Sequence, residues 1–179
     1  MDWKSSETFG NLKTALDGEL IAGGRYQVYS KQAVNDGFIQ ISDIFNETAK
    51  NELEHAELWI KFLNGGRVPP TLENLMDCIR RENYEWTIMY REFAEKAREE
   101  GYEDIAITFD QVAGIEKMHE NRYKILMNNI ENDQVFCKEK DELWICTNCG
   151  YEVYGRCAPK RCPVCGYPQG YFEIKATNY

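Results

Sequence analysis

Four cysteines near the C-terminus leave that segment few ways to fold. Cys146-Thr-Asn-Cys149-Gly150 and Cys162-Pro-Val-Cys165-Gly166 are two copies of one knuckle, in which a tight turn presents two thiolates and the following glycine lets the backbone reverse with positive φ. Twelve residues separate the knuckles. That spacing closes a tetrahedral four-sulfur site, which suits zinc(II) or a single iron. A tail of a few tens of residues usually needs a metal or disulfides to stay folded. Trp144, Tyr151, Tyr154, Tyr167, Tyr171 and Phe172 are expected to form an apolar shell around the sulfurs. Such a shell would tune an electron-transfer iron and would equally serve a structural zinc ribbon.

Six of the seven cysteines lie between Cys137 and Cys165, and the other is Cys78. Paired Cys-x-x-Cys units in a chain that opens without an apolar signal segment point to metal ligation in a reducing compartment, and a cytoplasmic location is expected. The three cysteines outside the knuckles, Cys78, Cys137 and Cys157, read as ordinary thiols. Apolar runs fall well short of a membrane span, so no membrane role is expected. A formal net charge of −9 disfavours a nucleic-acid partner, because phosphate binding needs a concentrated basic face.

Upstream of the tail the chain reads as four helices. Apolar residues at helical spacing (Phe9, Leu12, Leu16, Leu20) run from about Thr8 to Asp36 and stop at Gly37. A second run opens at Ser42-Asp43-Ile44-Phe45 and ends at Gly65-Gly66. After Pro69-Pro70 a third begins at Thr71 and continues without a break to Gly101, and a fourth extends from Glu103-Asp104 to Asn132-Asp133. Short links at Gly37 and Gly101 make each flanking pair antiparallel neighbours. The fold class is therefore mainly α, a four-helix up-down bundle over 1–133, with a linker at 134–142 and a small metal-bound β domain at 143–179. Trp144-Ile145-Cys146 and Tyr171-Phe172-Glu173-Ile174 are expected as its strands.

Glu52-Leu-Glu-His55 and Glu116-Lys-Met-His119 each place a glutamate and a histidine three residues apart, on one helix face. These are the chain's only histidines. Helix one adds Glu19, and helix three adds Glu82 and Glu85. A lone Glu-x-x-His is usually a solvated face. Two of them on separate helices, balanced by glutamates on the other two, match the donor set of di-iron carboxylate bundles. Five inward carboxylates without a cation would destabilise the helices, whereas two ferrous ions nearly neutralise them. Oxygen donors with imidazole suit iron or manganese better than zinc alone.

With these residues in place the chain resembles the rubrerythrin family over nearly its whole length. The motifs that carry the resemblance include Gly18-Glu19, Arg25-Tyr26, Asp36-Gly37-Phe38, Glu47-Thr48-Ala49, Glu52, Glu54-His55-Ala56, Glu82, Glu85, Met89-Tyr90, Ala97 to Tyr102, Glu116, His119-Glu120 and Arg122. The tail is similar to rubredoxin from Cys146 to Tyr151, from Ala158 to Gly166 and over Tyr171-Phe172-Glu173. The resemblance implies a ferritin-like di-iron bundle and a rubredoxin-like four-thiolate iron site built by Cys146, Cys149, Cys162 and Cys165, in which zinc can substitute. It implies that Glu52 and Glu116 bridge the irons, that Glu19 with Glu85 or His55 completes one iron and Glu82 with His119 the other, and that Glu85 and His55 exchange on reduction. It further implies that Tyr26 and Tyr90 hydrogen-bond the carboxylates. Gly23-Gly24, inside helix one, departs from the pattern and is expected to permit a local distortion near the site.

The implied function is an oxidoreductase: a peroxidase that reduces hydrogen peroxide to water, with electrons relayed through the rubredoxin-like iron from a separate NAD(P)H-dependent reductase. No Gly-rich dinucleotide loop is present in this chain. A homodimer or higher homo-oligomer is expected from the family. A ferritin-like ferroxidase or iron-storage protein is the alternative, for which the helices alone would suffice. A non-enzymatic protein with a zinc ribbon and no metal in the bundle is the third reading.

Overall fold

The computed structural model describes residues 2–178. The chain divides into two compact units, one ending at Pro70 and the other beginning at Thr71. Each contains an antiparallel helical hairpin, and the second also carries a small β-sheet.

In the first unit α1 (Glu7–Asn35) packs along α2 (Ile39–Leu63). Ser6 starts α1 by accepting the Phe9 N–H on its hydroxyl at 3.1 Å. Gly37, with φ of +82°, ends it, and the Phe38 N–H reaches back to the Ala33 carbonyl at 2.8 Å. Just beyond the turn, the buried hydroxyls of Ser30 and Ser42 bond to each other at 2.8 Å. Gly23 and Gly24 do not distort α1, which runs through them unbroken. A Cβ on Gly23 would meet the Ala49 carbonyl oxygen at 3.4 Å and the Cβ of Glu52 at 3.6 Å, ordinary van der Waals contact, and one on Gly24 would face open space.

In the second unit the expected unbroken third helix is interrupted. It consists of α3 (Thr71–Tyr84), a π-helical turn (Glu85–Met89) and α4 (Tyr90–Glu99), and the Tyr90 N–H bonds to the Glu85 carbonyl across the widened turn. These segments pack along α5 (Glu103–Glu131). Gly101, with φ of +86°, repeats the capping role of Gly37, and the Tyr102 N–H bonds to the Ala97 carbonyl at 2.8 Å.

The two hairpins are structural repeats. Glu52 lies fifteen residues after Gly37, and Glu116 fifteen after Gly101. Tyr26, Tyr29 and Phe45 form an aromatic cluster with centroid separations of 5.8–6.4 Å, and Tyr90, Phe93 and Phe109 form the same cluster at 5.6–6.4 Å. Where the first hairpin has the Ser30–Ser42 pair, the second buries Ala94 and Ala106. One spacing differs: Glu19 precedes its glycine by 18 residues and Glu82 precedes its glycine by 19. The π turn lies inside that interval and absorbs the additional residue.

The tail is a three-stranded antiparallel sheet in the order β2-β1-β3, from β1 (Cys137–Cys146), β2 (Glu152–Cys157) and β3 (Phe172–Ile174). Much of the stretch expected as linker, 134–142, is therefore strand, and β2 is an additional strand. Trp144, Cys146, Ala158, Cys162 and Phe172 form the core, and the Trp144 indole N–H donates to the Gly155 carbonyl at 2.8 Å. Tyr151 packs against this core, whereas Tyr154, expected in the shell, is 74% exposed because β2 turns it outward. Cys137 and Cys157 are not separate thiols: they face each other across β1 and β2, with Cα atoms 4.0 Å apart, and form a disulfide.

Candidate metal centres

In the tail, the Cys146 and Cys165 sulfurs are 3.7 Å apart and those of Cys149 and Cys162 3.6 Å apart. A tetrahedron with metal–sulfur bonds of about 2.3 Å has edges of about 3.8 Å, so these contacts suit one ion at the centre. Cys146 and Cys162 are buried, Cys149 exposed and Cys165 half-buried. The knuckles repeat each other: the Gly150 N–H bonds to the Cys146 carbonyl and the Gly166 N–H to the Cys162 carbonyl, at 2.8 and 2.9 Å. Both glycines have positive φ. The Tyr167 backbone N–H donates to Cys165 and, with further help from Asn148, Cys149 and Cys162, holds that thiol down to about 6. The Tyr151 N–H acts likewise on Cys149, but burial and the other three thiols outweigh it and push Cys149 up to about 12. Crowding thus leaves Cys165 ready to lose its proton and Cys149 reluctant to, until a cation compensates the charge.

Each hairpin assembles a three-residue cluster. In the first, His55 Nδ1 lies 3.0 Å from Glu52 Oε2 and 3.9 Å from Glu19 Oε2. In the second, His119 Nδ1 lies 2.6 Å from Glu116 Oε2 and 3.5 Å from Glu82 Oε2. Within each cluster the donor atoms lie within 4.8 Å of one another, the spacing of ligands around one ion. Burial, the hydrogen bond shared with Glu116 and that carboxylate's charge raise Glu82 above the usual carboxylate range, against the opposing effect of His119. Two carboxylates forced to share a proton are a pair a divalent cation would relieve. Oxygen and imidazole donors in this number fit iron, and four thiolates fit a second iron centre. The chain therefore carries a di-iron carboxylate–histidine donor set and a rubredoxin-like four-cysteine site.

Glu85 occupies the first position of the π turn and lies outside both three-residue clusters. Its charge nevertheless reaches the site: after burial, the charges of Glu85, Glu116 and Glu82 push the Tyr90 phenol upward. Tyr90 and Tyr26 make ring contacts, and no hydrogen bond from either phenol to a ligand carboxylate occurs among the described residues. Two tryptophans supply contacts the sequence did not reveal. The Trp59 indole N–H reaches Glu19 Oε1 at 3.4 Å. Trp86 Nε1 donates to Glu120 at 2.7 Å, where Asn83 Nδ2 also donates at 3.1 Å and Lys124 Nζ pairs at 2.6 Å. Glu120 is 3% exposed, and burial, which opposes ionisation, is outweighed by these partners, so its carboxyl lies below the ordinary range. Adjacent to His119, it ties α5 to the segment bearing Glu82 and Glu85. Trp59 lies 40 residues from Glu19, and Trp86 34 from Glu120, so no local pattern could have linked them.

Comparison with known proteins finds relatives over the whole chain. A family model for rubrerythrin matches residues 10–127, and one for the rubrerythrin rubredoxin-like domain matches residues 144–173. Rubrerythrin-1 of Clostridium acetobutylicum is 44% identical, covering 98% of this chain and 98% of its own length. Rubrerythrin of Nitratidesulfovibrio vulgaris is 43% identical, with 98% of each chain covered. A solved structure of nigerythrin in a partially reduced state is 28% identical, covers 95% of this chain and 87% of its own, and superimposes with a TM-score of 0.37. The donor clusters, the paired cysteine knuckles and the full-length relatives converge: this chain belongs to the rubrerythrin family.

Proposed function

We propose that the chain is a non-haem di-iron peroxidase that reduces hydrogen peroxide to two waters and is re-reduced through the iron of its four-cysteine site. The observation that carries this reading is the presence, in one chain, of two Glu/Glu/His clusters and a four-thiolate site. Storage of iron needs no reducing input, and a one-electron relay in the same chain has no use there. The two bundle irons, when bound, supply the two electrons that cleave the O–O bond.

The chain's own residues hold and adjust that site. Glu52 and Glu116 would serve as bridging carboxylates, Glu19 with Glu85 or His55 would hold one iron, and Glu82 with His119 would hold the other. His55, whose side chain is 50% exposed, has room to move and offers a neutral imidazole where Glu85 offers a charge. Burial and the charges of Glu85, Glu116 and Glu82 push the Tyr90 phenol upward, so it stays protonated near the carboxylates. Trp59 and Glu120 position Glu19 and the α3–π segment respectively. The electron source is a separate NAD(P)H-dependent reductase, the compartment is the cytoplasm, and the working form is a homodimer or higher homo-oligomer.

Metal analysis combined with the visible spectrum tests this reading. Three irons per chain with thiolate-to-iron bands, and peroxide-dependent oxidation of the reduced protein, are expected. Zinc in the tail of the natively loaded protein, or reduced protein that leaves peroxide untouched, overturns it.

A further inference from the structure

We propose that Cys137 and Cys157 form a second redox centre, a reversible dithiol–disulfide pair that reacts with hydroperoxides outside both metal sites. Neither cysteine belongs to the four-thiolate cluster, and neither lies within two residues of a member of it. They are cross-strand partners where β1 begins and β2 ends, with Cα atoms 4.0 Å apart in the bonded pair. Cys157 is exposed and Cys137 half-buried, so an oxidant in solution reaches the pair.

A side-chain hydrogen bond also ties the two strands beside the pair. Arg156 precedes Cys157 and donates through Nε to the carbonyl of Lys138, the residue after Cys137, at 3.5 Å. In a compartment that keeps thiols reduced, an accessible protein disulfide usually serves catalysis or sensing.

The chemistry balances without a further reagent. The Cys157 thiolate attacks one peroxide oxygen, the O–O bond breaks, hydroxide leaves, and Cys157 becomes a sulfenic acid. The Cys137 thiol then attacks that sulfur, the S–O bond breaks, and the hydroxyl leaves as water with the thiol proton. Two thiols lose two electrons, and one hydroperoxide gains them. An external dithiol restores the pair by exchange. The bond fixes the chain as it enters the tail: Ala158, next to Cys157, donates its N–H to the carbonyl of Phe136, next to Cys137, at 2.8 Å, and Phe136 packs on the tail core. Between this clamp and the next register pair, Glu142 with Gly155, β1 carries the bulged stretch Lys138–Asp141.

The test uses full-length, metal-loaded protein, reduced with a dithiol and then held with its bundle irons ferric, so that the bundle has no electrons to give. The outcome is therefore independent of the peroxidase reading. After one equivalent of hydrogen peroxide, denaturation and alkylation should label five of the seven cysteines, with peptide mapping locating the missing pair at Cys137–Cys157 and a dithiol restoring seven. Cys137→Ser should halt at a sulfenic acid on Cys157 that a dimedone reagent traps. Cys157→Ser should slow thiol loss at least about tenfold, because the exposed thiolate is gone. Tryptic cleavage after Lys138 and Lys140 should be slower in the oxidised form. Seven labelled cysteines after peroxide, a bond involving Cys78, or a Cys137–Cys157 bond that no dithiol reduces would each overturn the proposal, as would equal peroxide reactivity in Cys157→Ser.

Discussion

Replacing Glu120 by alanine should loosen the segment that carries Glu82 and Glu85. The Glu120 carboxylate, 3% exposed, accepts from Trp86 Nε1 at 2.7 Å and Asn83 Nδ2 at 3.1 Å, and pairs with Lys124 Nζ at 2.6 Å. The Lys124 side chain is 51% exposed, so that pair contributes at most about 1 kcal/mol. The hydrogen bonds from Trp86 and Asn83 to a buried charge are worth about 1.5–3 kcal/mol each and decide the outcome. Losing the carboxylate also removes its own desolvation cost, which brings the net loss to about 3 kcal/mol. Hydrogen exchange of the metal-free chain measures it locally: amides of residues 82–90 should exchange about a hundredfold faster, with α1 and α2 unchanged. A double-mutant cycle with Trp86→Phe should show coupling of about 1–2 kcal/mol. The reasoning fails if protection at 82–90 changes by less than about 0.5 kcal/mol, the range of an ordinary surface substitution. The pH dependence has a fixed sign. Because the folded state lowers the Glu120 carboxyl, its stabilisation is full above the ordinary carboxylate range and is lost as pH falls through the lowered value; the variant should lack that loss.

In metal-free protein Glu82 has the opposite sign: its carboxyl is raised, so its contribution is full below the ordinary carboxylate range and is lost as pH rises through the raised value. Glu82→Gln should therefore raise the Tm of the metal-free protein at pH 7, and an unchanged or lower Tm contradicts the shared proton. Glu52→Gln or Glu116→Gln should bind fewer than two bundle irons by metal analysis, because each carboxylate is proposed to serve both ions; normal iron content in both variants rejects the bridging assignment. His55→Gln should assemble the oxidised site but turn over peroxide at least about tenfold more slowly, as expected for a ligand needed in one redox state. Parent-rate turnover with both irons present removes His55 from the mechanism.

The elements legible in the sequence were those set by local chemistry. Gly37 and Gly101 ended helices because only a residue tolerant of positive φ closes these turns, and both are found at +82° and +86°. The knuckle glycines, Gly150 and Gly166, follow the same rule. The Glu-x-x-His spacing placed each glutamate beside its histidine because residues three apart share a helix face. The π turn left no mark in composition or periodicity. Its signal was relational, the one-residue difference between the Glu19–Gly37 and Glu82–Gly101 intervals, and it required recognising the hairpins as repeats. β2 was missed because Glu152–Cys157 has two exposed ends and a glycine in its middle, so alternation is short and weak. Nothing local marked Glu120 as buried, because the groups that satisfy it, Asn83 and Trp86, lie 37 and 34 residues away. The Cys137–Cys157 bond depends on strand register, which the cysteine spacing alone does not determine.

The relay from the four-thiolate site to the bundle is tested most directly by steady-state peroxide consumption in Cys149→Ser, driven by NAD(P)H through an added rubredoxin reductase and compared with the parent. The tail of this variant lacks a thiolate and should not hold its iron, while the helical ligands are untouched. Protein whose bundle has been reduced chemically beforehand should still consume one equivalent of peroxide, and reductase-driven turnover should fall to the background rate. Sustained turnover at the parent rate in a variant shown to lack the tail metal would contradict the relay and leave the four-cysteine site with a structural role only.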